Sequence, residues 1–274
     1  MTKSRVTWFV LILLLLLRIP YTNYIIYFLP IENQNGAAIY EVSTYILIAF
    51  LIWWERERLA DFHIDKSALV LIILLRPIQI MILSYWKVES PLVFPGIPSL
   101  IILSASVALA GSLWYSGIKI PRLSAFLWSW LAVGIAAGVG VSILENISSF
   151  RSMLSNDSPF LSLIGKSAGL NLLYHLGFAP INEEPLFRGF LWGALRERKW
   201  NENWILIFQA VLFTCAHVYF AKQYPLMFWV LSPAAALLFG LLTLRSRSIS
   251  PAILAHGMIN GSAYVLVAGL LSAL

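Results

Sequence analysis

The chain has 274 residues, 59% of them hydrophobic and 12% charged, with a formal net charge of +6 at neutral pH. With a mean hydropathy of +0.80, this balance excludes an ordinary soluble domain and fits a polytopic membrane protein. The cations fall in short patches between apolar runs, which points to anchoring and orientation in a bilayer and away from nucleic acid. The single Cys215 excludes an intrachain disulfide.

Lys3 and Arg5 precede the apolar run Leu11 to Leu17, as in a signal peptide, but no small-residue cleavage site follows. An uncleaved first span is therefore expected. A spanning helix needs about 20 apolar residues, and lipid excludes open strands. Nine runs qualify, near 6–29, 37–54, 68–86, 97–117, 124–147, 161–195, 204–220, 225–244 and 251–272. The first is interrupted by Arg18 and Pro20 and the second is short, so the expected fold is an all-α bundle of eight or nine transmembrane helices. Basic residues alternate between loops: Lys3/Arg5, Arg56/Arg58/Lys66, Lys119/Arg122, Arg196/Arg198/Lys199 and Arg245/Arg247 share one side. Nine spans with an inside N-terminus put all of these in the cytoplasm.

The sixth run is long. About 35 residues at ~1.5 Å each would overshoot a ~30 Å hydrocarbon core if straight. Gly177, Pro180 and Pro185 offer breaks, and the two prolines leave the carbonyls of Leu176 and Ile181 without helical donors. A broken helix at this depth is tolerated where it lines a wet cavity. The same run carries Glu183, Glu184 and Arg188, charges that cost at least ~2.5–3.5 kcal/mol each on insertion scales.

Neighbouring residues differ by about 100° around a helix, so Glu183 and Glu184 face different ways. Arg188 lies four residues after Glu184, at ion-pairing distance, which leaves Glu183 without a local cation and suited to act as a base. Phe213 lies one turn before His217 and can pack beside its imidazole. His256 and Asn260 share a face one turn apart, and an Asn amide donates well to an oxyanion. Gly257 and Gly261 leave room for close approach by another helix. Each group taken singly also has a structural explanation, as an interhelical hydrogen bond or buried ion pair. Together they make the set that water activation and oxyanion stabilisation require.

Other polar residues have plainer readings. Glu41 and Arg76, on the second and third runs, are expected to neutralise each other. His175 lies two turns before Glu183 and could line a cavity mouth. His63, among Glu55, Arg56, Glu57, Arg58, Asp61 and Asp65, is expected in a solvated loop. Trp53, Trp54, Trp86, Trp200 and Trp204 read as interfacial anchors.

Glu183-Glu184-x-x-x-Arg188, Phe213-x-x-x-His217 and His256-x-x-x-Asn260 resemble, in order, the three motifs of the CPBP family of CAAX proteases and bacteriocin-processing enzymes. This family is also called Abi and includes the Rce1-type CAAX prenyl endopeptidases. The resemblance spans about 124–272, and suggests N-terminal helices of unassigned role over 1–123 and a catalytic helical core over 124–274. It implies an intramembrane peptidase of glutamic type, in a bacterial cytoplasmic membrane, acting on a membrane-associated protein or peptide. By that likeness Glu183 and His217 activate water, His256 and Asn260 hold the oxyanion, and Glu184, Arg188 and Phe213 support the geometry. No metal or other cofactor is implied. Two alternatives stay open. One is a zinc protease with Glu183, His217 and His256 as ligands; the other is a non-catalytic transporter or immunity-type protein.

Overall fold

The computed structural model describes residues 3–24, 34–117, 125–153 and 167–271. Among these the chain is entirely helical, with turns between helices. Helix α1 (Lys3–Leu16) runs into a π-helical turn, Leu17–Tyr21. Then come α2 (Gln34–Trp54), a 3₁₀ segment Arg56–Phe62, α3 (Lys66–Trp86), α4 (Ile97–Tyr115) and α5 (Ala125–Met153). The motif region follows as α6 (Ala168–Leu176), α7 (Ala179–Glu184), a π-helical turn Pro185–Leu191, and α8 (Trp192–Glu197). The chain continues through α9 (Glu202–Cys215), the short α10 (Phe220–Gln223), a third π-helical turn Met227–Leu231, α11 (Ser232–Ser246) and α12 (Ser250–Leu271).

Six helices among the described residues are long and apolar enough to cross a membrane: Lys3–Tyr24, Asn35–Trp54, Lys66–Trp86, Ile97–Tyr115, Phe126–Glu145 and Met227–Ser246. The runs near 161–195, 204–220 and 251–272 are not among the six. The first of them is divided at Gly177–Phe178, the second stops after 14 residues at Cys215, and the third includes positions outside the described side chains. The start of the run at 161, together with Lys119 and Arg122, lies outside the described residues.

Helix α12 packs against α5 and α6, α9 against α11, and α3 against α4 and α6. This wraps the motif region so that every residue from 180 to 195 is buried. Charges in that segment are therefore shielded from lipid by other helices, which makes their burial compatible with a membrane. Glycines set several of the close approaches. A Cβ at Gly177 would lie 2.3 Å from the Leu75 carbonyl oxygen of α3, and one at Gly257 would lie 3.0 Å from Leu176 Cα of α6. The room foreseen at Gly257 is thus taken by α6.

At the basic end, the expected solvated loop is only partly solvated: Glu57 and Asp61 are exposed, but His63 is not. Residues Arg56–Phe62 fold under the bundle, burying Glu55 and His63. Glu55 pairs with Arg58 (Nε–Oε2 2.6 Å) and accepts from Thr7. His63 contacts the Arg196 guanidinium and meets the Trp192 ring edge-on at 6.1 Å. Asp65 caps α3, accepting from Ala68 N at 2.9 Å, and accepts from the Ser250 hydroxyl at 3.2 Å. Acidic residues in this stretch find partners on other elements, which the linear run of charges did not show. Trp86 is likewise buried, packed on Tyr174 at 5.9 Å, and is not an exposed anchor.

Candidate active site

The three motifs converge. Glu184 forms the spacing-predicted ion pair with Arg188 (Nη1–Oε1 3.2 Å), both fully buried. Arg188 also donates to the Ala236 carbonyl at 2.9 Å, and its guanidinium lies over Phe213 (4.4 Å) and Phe239 (5.2 Å). Desolvated cation–π contacts of this kind contribute up to ~2 kcal/mol.

His256, from α12, brings Nδ1 to 2.7 Å from Glu184 Oε1. A carboxylate only accepts, so Nδ1 carries the hydrogen. The ring stacks on Phe239 at 4.9 Å. Asn260 lies one turn further along α12 and is half-buried.

His217 lies just beyond the end of α9, where the expected helix stops early at Cys215. A helix C-terminus leaves its last carbonyls short of i+4 donors. His217 Nδ1 donates to one of the last of them, the Phe213 oxygen, at 2.8 Å, which also accepts from Ala216 N at 3.1 Å. Phe213 remains beside the imidazole, with ring centroids 4.5 Å apart, as the spacing implies. Cys215 is exposed and makes no pair with His217.

Glu183 is where the sequence reading stops short. It has no cation at helical spacing, as read, but Arg18 of the first helix supplies one from far away in sequence. Arg18 Nε lies 3.0 Å and Nη2 2.8 Å from Glu183 Oε1. Nη2 is also 2.9 Å from His217 Nε2, and Nη1 donates to the Ala216 carbonyl at 2.9 Å. An arginine only donates, so His217 Nε2 is the acceptor and its hydrogen is on Nδ1. The other Glu183 oxygen, Oε2, is buried, has no hydrogen-bond partner among the described residues, and lies 3.9 Å from His217 Nε2. The one advance signal was an arginine within an apolar first span.

A second buried network backs the site. Arg76 pairs with Glu41 as expected, and donates to Gln79 Oε1 (2.6 Å) and the Gly177 carbonyl (3.1 Å). Asn182 Nδ2 donates to Glu41 Oε2 at 2.8 Å, tying the motif segment to α2. His175 is buried, its ring meeting Tyr174 edge-on at 5.0 Å.

A zinc ion shared by Glu183, His217 and His256 does not fit this arrangement. The Arg18 guanidinium fills the side on which Glu183 Oε1 and His217 Nε2 would converge, and His256 Nδ1 faces Glu184. Among the described residues no group of three His, Cys, Asp or Glu is arranged to hold a metal.

No curated protein and no solved structure matches this chain. Residues 166–262, which carry all three motifs, match the model of the Rce1-like family, described as Type II CAAX prenyl endopeptidase Rce1-like, so this segment of an integral membrane chain resembles a CAAX-type intramembrane protease.

Proposed function

We propose that this chain is an intramembrane endopeptidase of glutamic type, with Glu183 as the base. The observation that carries the reading is Glu183 Oε2: a buried carboxylate oxygen without a partner among the described residues, 3.9 Å from an imidazole nitrogen. Buried polar atoms are nearly always paired, so an unpaired one aimed beside a histidine suits a water-binding position.

In the proposed reaction a water held by Glu183 Oε2, beside the His217 ring, attacks the scissile carbonyl carbon, and Glu183 takes its proton. The oxyanion that forms is held by the Asn260 amide and by His256. With Nδ1 donating to Glu184, His256 donates from Nε2 only as an imidazolium, a charge that Glu184 stabilises. Glu183 then passes its proton to the amide nitrogen, the C–N bond breaks, and an acid and an amine leave. Phe213 and Phe239, packed against the two imidazoles, restrict water to this position.

The substrate is membrane-associated. The catalytic core comprises 124–274, with the helices of 1–123 packed around it. Nine spans, the sixth broken at Gly177 and an inside N-terminus, place the Arg196–Lys199 loop in the cytoplasm. A reporter active only outside, fused at the C-terminus and after Lys199, should be active at the first site and silent at the second.

The function is tested by cleavage assays on purified protein, with a prenylated C-terminal peptide and an unprenylated membrane peptide. Wild-type protein should cleave at least one. Glu183→Gln should lower turnover by at least ~10², the usual contribution of a positioned base. Cleavage by Glu183→Gln at the wild-type rate would sink the assignment, and loss of wild-type activity to a chelator would favour a metal.

A further inference from the structure

We infer that Arg18, contributed by the first helix and lying outside the family-matched segment, is a positioning residue for the water-activating pair. The inference rests on the reading of Glu183 and His217 given above. It adds that Arg18 decides which Glu183 oxygen acts as the base and which His217 tautomer faces it.

Arg18 is 3% exposed, and three of its nitrogens have partners in the site. Two converge on Glu183 Oε1, at 3.0 and 2.8 Å, leaving Oε2 as the oxygen free to accept a proton. Nη2 also reaches His217 Nε2 at 2.9 Å, which fixes the Nδ1–H tautomer together with the Phe213 carbonyl. A planar fork makes these contacts at once; a lysine ammonium, a single point of charge, would not.

The chain is built to deliver this side chain. The apolar α1 gives way to the π-helical turn Leu17–Tyr21, which contains Pro20, and Arg18 lies buried within it. Such turns widen a helix locally and recur at functional sites. The turn is fastened to the end of α9. Asn23 Nδ2 donates to Ile19 O (2.7 Å) and Cys215 O (3.2 Å), and Asn23 Oδ1 accepts from Tyr219 N at 3.2 Å. Residues 215–219 surround His217 in sequence, so the fastening keeps Arg18 and His217 in register. The plainer alternative is that Arg18 only balances the Glu183 charge, a role for which the contacts to His217 and Ala216 are unnecessary.

The experiment compares wild type, Arg18→Lys, Arg18→Gln and Glu183→Gln on one peptide that the wild type cleaves, with kcat, KM and Tm for each. Positioning predicts that Arg18→Gln lowers kcat by about 10²-fold at unchanged KM, the scale of a ~1 Å misplacement of a reacting group. Arg18→Lys should fold like the wild type and fall between the two in kcat. Wild-type kcat in folded Arg18→Gln, or a change confined to KM, overturns the inference. If Arg18→Gln does not fold, Arg18→Lys decides: full kcat means that charge balance alone was needed and the inference fails, while a reduced kcat at unchanged KM and Tm supports it. Glu183→Gln separates the two readings. If it is active, the base assignment falls; if it is inactive beside a fully active Arg18→Gln, only the role of Arg18 falls.

Discussion

Glu184→Gln replaces a fully buried carboxylate with an amide of the same shape, so the perturbation is almost purely electrostatic. In the wild type, Glu184 Oε1 receives both Arg188 Nη1 at 3.2 Å and His256 Nδ1 at 2.7 Å. The glutamine oxygen can still accept from His256, but Arg188 is left without its anion in the bundle interior. Removing one partner of a buried ion pair costs ~3–5 kcal/mol. Arg188 keeps its bond to Ala236 and its place over Phe213 and Phe239, so the loss belongs at the lower end, about 3 kcal/mol. At ~2–4 °C per kcal/mol for a chain somewhat smaller than this one, Tm should fall by about 6–12 °C. The assay is thermal unfolding of wild type, Glu184→Gln and the double variant Glu184→Gln/Arg188→Met in one detergent, followed by tryptophan fluorescence. The double variant removes the stranded cation, so it should melt above the single one, because replacing both charges costs less than breaking the pair. A single variant that melts with the wild type, or a double variant that is no more stable, refutes the reasoning.

Three further predictions follow from particular contacts. Asn260→Ala should lower kcat by about 10²–10³ at nearly unchanged KM, as loss of one oxyanion donor does; a change confined to KM in peptide-cleavage kinetics would make Asn260 a substrate-positioning group. Burial first, then the Arg196 guanidinium, pushes the His63 imidazole down to about 4 from its ordinary 6.5. With a depressed folded-state value, the stability due to neutral His63 is complete above pH 6.5 and declines as pH falls toward 4, by roughly 3 kcal/mol in all. His63→Asn, which tolerates the left-handed backbone at φ 54°, should flatten that part of the Tm-against-pH curve, and an unchanged curve would contradict the assignment. Gly177→Ala sets a Cβ 2.3 Å from the Leu75 carbonyl oxygen, a backbone atom that cannot turn aside, and should cost about 1–3 kcal/mol in a detergent melt.

What was legible in the sequence is what helix geometry fixes locally. A run of apolar residues announces a span, and a spacing of four announces a contact. Thus Glu184 meets Arg188, Phe213 packs on His217, and His256 and Asn260 share one helix. The opposite charges of Glu41 and Arg76 also find each other, because neither has another way to be buried in hydrocarbon. Only the tertiary structure decides which elements meet. It divides the motif run at Gly177–Phe178, ends α9 at Cys215 so that His217 caps the last turn, and folds the stretch around His63 beneath the bundle. Above all, it carries Arg18 across 165 positions of sequence to Glu183. No local periodicity encodes that pairing. It depends on the packing of the first helix against the motif region, and on a buried carboxylate drawing the nearest cation that packing can supply.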